Sequence, residues 1–301
     1  MKDGLKLSNA IQEWLVLYKK NSVKPTTYDR LIISLDLMKK HAISDMNFEE
    51  IKAEHIQKYV NYLVNAGYAR STIKKQYCLL HAFFRSKKME DIFDQVRIPA
   101  QSMVKKTKKE VVAYTMEEQR RLIPVLMKVH NPSTCAAMLM LESGMRIGEV
   151  LALSWDDILW DRKAVRIHKT LIRITNAKKI EIQQGAKSHC SNRTIPLSTR
   201  AMELLRDMYG GKSGLIFSKE NGEPLTYEAM RWHIKKVCDE AGVPYYGQHV
   251  FRHTFATNCY YRGCNVKILS KLLGHADVTV TYNIYIHLFG DALEEMRSVI
   301  G

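Results

Sequence analysis

Several short stretches of this 301-residue chain hold side chains suited to phosphate chemistry. Gln248-His249-Val250-Phe251-Arg252-His253 sets a histidine and an arginine three residues apart, and Val250, Phe251, Phe255 and Ala256 recur around them at helical spacing. One helical face therefore carries His249 and Arg252. Leu273-Gly274-His275 puts another histidine just past a helix end, and Tyr285 follows ten residues later. Upstream, Gly144-Met145-Arg146-Ile147-Gly148-Glu149 places an arginine at a break between two helices, with a carboxylate three residues on. Such an arginine can fork onto a phosphate while the carboxylate orients it. From that stretch alone a surface Arg–Glu pair fits equally well.

A metal reading of the same residues is weaker. His249 and His253 have the i, i+4 spacing of zinc ligands, but the residues between them lack the glutamate of HExxH. Arg252 beside them repels a cation. No metal site is expected, and His253 reads as a structural or auxiliary histidine.

Composition favours a polyanionic partner. There are 46 Lys and Arg against 31 Asp and Glu, a net charge of +15, and nucleic acid is the commonest polyanion for such a chain. The excess is shared: 21 basic against 12 acidic residues up to residue 110, and 25 against 19 beyond. The six cysteines form no CxxC pair and read as reduced thiols. No signal peptide opens the chain, and no run approaches the roughly 20 apolar residues of a membrane span. The expected location is the cytoplasm, in association with the nucleoid.

The elements that must position the candidate residues can be read in order. Residues 7–18 form an amphipathic helix with Ile11, Leu15 and Tyr18 on its apolar stripe and Ser8 or Asn9 as cap. Pro25 opens a second, with Thr26 and Asp29 as a capping-box-like pair. A third covers residues 53–65 and ends at Gly67; a fourth starts near Ser71. Together they make a helical domain over residues 1–95. Its polar faces carry Arg70, Lys74, Lys75, Arg85, Lys87 and Lys88, a cluster that favours phosphate contact. Residues 96–112, with Lys105, Lys106, Lys108 and Lys109, read as a basic linker able to lie along a DNA backbone.

A second domain is expected over residues 113–301. Thr115 and Glu118 form a capping box, Pro132 opens the next helix and Gly144 closes it. Alternating residues 164–168 and 180–182 predict strands, 193–197 a short strand and 215–217 a further one. Lys187 falls in the polar turn between two of them. Helices are expected over 198–208, 227–241, 250–261, 266–273 and 292–300. The fold class is thus mainly α with a small antiparallel sheet, α+β, in two domains.

In this order Arg146, Lys187, His249, Arg252, His275 and Tyr285 resemble the catalytic set of the tyrosine recombinases, the phage integrase family. The likeness is carried by residues 143–149, Lys187 before Arg193-Thr194-Ile195-Pro196-Leu197, residues 249–257, Leu272-Leu273-Gly274-His275, and Tyr282-Asn283-Ile284-Tyr285-Ile286-His287. It spans most of residues 115–290. The helical segment before it resembles the family's core-binding domain. Such a reaction needs a nucleophile, positive charge for the pentacoordinate phosphorane and an acid for the leaving 5′-oxygen. Arg146 and Arg252 suit the nonbridging oxygens, and His249 and His275 can donate hydrogen bonds and move protons, since imidazole titrates near neutrality. The resemblance makes Lys187 the general acid and Glu149 a supporting carboxylate. It also favours Tyr285 over Tyr282, because the family places its nucleophile nine or ten residues after the Gly-His, often followed by x-His.

The resemblance implies a two-domain clamp on double-stranded DNA, cleaving to a 3′-phosphotyrosyl link with no cofactor. The carrier is expected to be a mobile genetic element. A C-terminal helix with Leu293, Met296 and Ile300 suggests docking between subunits, hence a homo-tetramer on two DNA sites, with accessory DNA-bending or directionality factors as further partners. The first helix begins by about residue 8, which leaves no room for the arm-site module many integrases carry. The alternatives are a type IB topoisomerase-like nicking-closing enzyme, a non-catalytic DNA-binding accessory protein and a zinc-dependent nuclease.

Overall fold

The structure, a computed structural model, describes residues 5–100, 112–175, 177, 179–185 and 192–286, the side chains of 283–286 excepted. Three expectations fall outside these residues: most of the basic linker with Lys105, Lys106 and Lys108, the Lys187 turn, and the helix over 292–300. The chain forms two compact units, residues 1–108 with 173–180, and residues 109–172 with 181–301.

The first unit is built on four helices, α1 (Leu7–Trp14), α2 (Pro25–Met38), α3 (Ala53–Asn65) and α4 (Arg70–Ser86). Leu7, Ile11, Leu35, Ile56, Leu63 and Phe83 meet in its centre at 0–1% exposure. Three short 3₁₀ turns, Ala42–Asp45, Phe48–Glu50 and Glu90–Phe93, fill the connections. The expected caps are not used. The Leu7 amide donates to the Met46 carbonyl at 2.8 Å, and α1 starts at the expected Leu7 without Ser8 or Asn9 as cap. Asp29 makes no capping box; it is buried and accepts the Thr175 amide at 3.0 Å. Tyr18 also leaves the apolar stripe, because α1 passes into a π-helical turn over Leu15–Lys19 that shifts the register, and it is 60% exposed.

The second unit is arranged around α6 (Pro132–Ser143), which packs against α5 (Met116–Lys128), α8 (Thr199–Tyr209), α9 (Tyr227–Glu240) and α10 (His249–Tyr261). Ten of its twelve residues are buried, which is why its sequence lacks an amphipathic stripe. The Thr115–Glu118 capping box on α5 forms as the sequence predicts. Among the described residues, α7 (Ile147–Leu151), α11 (Val266–Leu273) and α12 (Val278–Ile286) complete the α-helices of this unit.

Among the described residues, β1 (Ile158–Leu159), β2 (Ala164–Ile167) and β5 (Arg193–Pro196) form an antiparallel sheet in the order β1-β2-β5, with Val165 opposite both Ile158 and Ile195. β3 (Lys169–Ile174) and β4 (Lys179–Gln184) pair separately. The predicted strand over 164–168 therefore ends before His168. The buried Asp157 carboxylate causes the break, holding His168 at 2.8 Å and Lys169 at 2.9 Å on its two oxygens. Nor do residues 215–217 make a strand; Leu215 forms one isolated bridge with Ser154.

Candidate active site

Three successive carbonyls at the C-terminus of α11 organise the site. Arg193 Nε donates to the Leu272 carbonyl at 2.6 Å, Arg252 Nη2 to Leu273 at 2.8 Å, and Arg146 Nη2 to Gly274 at 2.8 Å. The last carbonyls of a helix have no intrahelical partner and carry the negative end of its dipole, so three guanidinium groups are well matched to them. Gly274 closes α11 in the left-handed conformation, with φ +66°.

Local chain geometry brings the arginines there. Gly144 ends α6 with φ +66°, and a Cβ on it would lie 2.4 Å from the Phe255 ring and 2.9 Å from Leu273. Glycine alone permits α6, α10 and α11 to approach so closely. Arg146 is the N-cap residue of α7, two residues on. Arg252 is on the buried side of α10, and its Nη1 donates to the Gly144 carbonyl at 2.9 Å.

Glu149 joins two of the arginines. Its Oε1 accepts from Arg146 Nη1 at 2.9 Å and from Arg193 Nη1 at 3.1 Å; its Oε2 accepts from Arg193 Nη2 and from the Arg146 amide, both at 2.8 Å. Burial raises the carboxyl pKa, but the Arg193 hydrogen bonds and charge, with those of Arg146, outweigh it and the net shift is downward. Glu149 is thus a carboxylate. Among the three, Arg146 is the outward-facing group, its side chain 36% exposed against 6% for Glu149 and 8% for Arg193.

His275 lies against Arg252, with 2.8 Å between its Nε2 and Arg252 Nη2, and its Nδ1 is 2.7 Å from Thr281 Oγ1 on α12. Its pKa is pushed down to about 4 by burial and by the Arg252, Arg146, Arg193 and His253 charges. His253 is also lowered to about 4, through burial, His249 and Arg252. His249 stands exposed at the start of α10; local desolvation of its ring, then Arg252 and Arg146, lower its pKa. Burial first, and the neighbouring guanidinium charges after it, lower all three imidazoles below the ordinary histidine value.

The second unit thus gathers Arg146, Glu149, His249, Arg252 and His275. Lys187 lies outside the described residues, and for Tyr285 the structure gives the backbone, in α12. Among the described residues no group of three or more His, Cys, Asp or Glu converges as metal ligands do, and no helix is long and apolar enough to cross a membrane. In the first unit Lys74 and Lys75 are exposed on α4, while Arg70 donates to the Pro99 carbonyl at 3.0 Å.

Residues 113–291 match the Phage integrase family. The chain belongs to the phage integrase family. It is therefore a tyrosine recombinase, as the ordered motifs suggested. A tyrosine recombinase XerC-like protein of Caldanaerobacter subterraneus subsp. tengcongensis is 27% identical over 311 residues, covering 94% of this chain and 79% of that protein. The transposase of transposon Tn916 from Enterococcus faecalis is 23% identical, covering 87% and 70%. The fold resembles that of the Tn1549 transposon integrase solved with transposon right-end DNA, with a TM-score of 0.80, 20% identity and 99% and 100% coverage. Lambda integrase, solved as a tetramer on a Holliday junction, follows with a TM-score of 0.66, 16% identity and 94% and 78% coverage.

Two features of this family member went unread in its sequence. In the sequence Arg193 belongs only to a strand motif, since nothing local links it to residues 149 and 272. The α9 face with Arg231, Trp232, Lys235 and Lys236 is exposed, with the Lys236 ammonium 4.3 Å from the Trp232 ring centre. Its i, i+1, i+4, i+5 spacing was the available signal.

Proposed function

We propose that this recombinase serves a mobile genetic element and acts by attack of the Tyr285 hydroxyl on a scissile phosphate, giving a 3′-phosphotyrosyl link and a free 5′-hydroxyl. The single observation that carries the reading is the Thr281–His275 hydrogen bond of 2.7 Å. It ties α12 to the arginine cluster, and residue 285 lies one helical turn beyond Thr281 on the same face. Tyr282 lies three residues before it and is 48% exposed.

In this reading Arg146 and Arg252 neutralise the nonbridging oxygens, preorganised by Glu149 and the α11 carbonyls. His249 and His275 add hydrogen bonds, which a phosphate dianion in the transition state strengthens by raising their pKa. Lys187 protonates the leaving 5′-oxygen. The phosphotyrosine retains the bond energy, so a second 5′-hydroxyl can reverse the step without a cofactor. The transposase relatives support the mobile-element assignment. Lys74 and Lys75 in the first unit and the basic face of α9 in the second support contact of both units with duplex DNA. Lambda integrase, a tetramer on its junction, supports a tetramer on two sites.

The test is covalent trapping on a nicked duplex carrying the element's end. A denaturant-resistant adduct formed by wild type and Tyr282→Phe but not by Tyr285→Phe is expected. Adduct lost only with Tyr282→Phe moves the nucleophile by one turn. No adduct from wild type on DNA that it binds defeats the catalytic reading in favour of an accessory role.

A further inference from the structure

We propose that Arg193 is a positioning residue for strand cleavage: it supplies the charge that satisfies Glu149 and fixes the end of α11, so that Arg146 keeps its own charge for the scissile phosphate. The proposal rests on the strand-transfer reading above.

Charge matching carries it. Arg193 and Glu149 form a two-bond pair, 2.8 and 3.1 Å, with both side chains under 10% exposed. A carboxylate so dry needs a full counter-charge, and Arg193 provides it by the bidentate fork that guanidinium and carboxylate share. Arg146, bonded to the same Oε1, is the more exposed of the two arginines. One carboxylate shared by two guanidinium groups leaves a net positive charge, and Arg146 is the member that faces outward. Without Arg193, Glu149 would draw that charge onto itself.

Position is the second part. Arg193 Nε holds the Leu272 carbonyl, and the next two carbonyls receive Arg252 and Arg146. All three arginines therefore share one rigid turn. Gly274 completes the cradle: a Cβ there would sit 2.8 Å from Arg193 Nη1. A purely structural ion pair would explain the burial but predicts no dependence on the charge of the phosphate.

That dependence is the test. Single-turnover cleavage is measured on two nicked duplexes that differ only at the scissile group, one a phosphodiester and the other a methylphosphonate with no negative charge. Wild type, Arg193→Met, Arg193→Lys and the double variant Glu149→Gln/Arg193→Met are compared, with duplex affinity and melting temperature recorded for each. Misplacing a reacting group by about 1 Å costs on the order of 100-fold, and a loss of that size is expected for Arg193→Met on the phosphodiester. Most of the deficit should vanish on the methylphosphonate, and the double variant should regain activity because it no longer holds a buried anion. Equal deficits on both substrates, or no deficit on either, overturn the proposal. If Arg193→Met does not fold, Arg193→Gln, which also removes the charge but keeps a polar head, decides by the same comparison, whereas Arg193→Lys, which keeps the charge, should retain most of the phosphodiester activity. Wild type that forms no adduct on the phosphodiester defeats the strand-transfer reading itself, an outcome distinct from a variant that matches an active wild type.

Discussion

Arg252 Nη2 lies 2.8 Å from His275 Nε2, and since a guanidinium can only donate, that imidazole nitrogen accepts. The proton of the neutral ring is then on Nδ1, directed at Thr281 Oγ1. The free protein thus holds His275 as a neutral acceptor, and His253, on the same helix as Arg252, shares its low pKa of about 4.

Acid stability follows from these two histidines. Unfolded, they titrate near 6.5, so between that pH and about 4 the unfolded chain binds more protons than the folded one. Their contribution to stability is full above pH 6.5 and is lost as pH falls toward 4. Melting temperature should decline across that window, and His253→Gln should flatten the decline. An unchanged slope in that variant would contradict the assignment.

The two catalytic arginine candidates should differ in what they do for folding. Arg252 is buried and serves the Gly144 and Leu273 carbonyls and His275 Nε2. An acceptor left buried without its donor costs about 1–3 kcal/mol, so Arg252→Ala should lose about 3 kcal/mol or more. Arg146→Ala leaves Glu149 with Arg193 and should lose about 1 kcal/mol. Both should reduce cleavage by about 100-fold or more. Urea denaturation separates them; equal midpoints would argue against the buried role of Arg252.

Local signals explain what the sequence disclosed. Helix α3 matches its predicted bounds, and Gly144 ends α6 where its left-handed φ is needed, because caps and periodicity are written within a few neighbouring residues. The Arg146–Glu149 pair was legible for the same reason. Arg193 was not, since its partners come from α7 and the end of α11, distant in the chain. The π-helical turn and the two-residue β1 leave no periodic trace. The lowered histidine pKa values depend on which arginines fold around them, and spacing does not state that.

Gly274 offers a way to disturb the cluster without removing a charge. Gly274→Ala puts an L side chain at φ +66°, which costs about 1–2 kcal/mol, and its Cβ meets Arg193 at 2.8 Å. Gly263 also has a positive φ, +79°, but nothing lies within 4 Å of its Cβ position. Gly263→Ala should therefore show the backbone cost alone and keep cleavage, whereas Gly274→Ala should lose cleavage as well. Similar cleavage in both variants would mean that the arginine cluster tolerates movement.

Lys187 is assigned as general acid by resemblance, and leaving-group chemistry can test it directly. The 5′-oxygen departs poorly unless it gains a proton as its bond to phosphorus breaks. Sulfur in that bridging position leaves as a stable thiolate and needs none. Lys187→Met should therefore be slowed by about 100-fold or more on the ordinary duplex and recover to near the wild-type rate on the 5′-bridging sulfur duplex. Arg146→Lys, which weakens charge stabilisation rather than proton transfer, should remain impaired on both. If Lys187→Met stayed equally slow with sulfur, its role would lie in binding the DNA or holding the site, and another group would have to supply the proton.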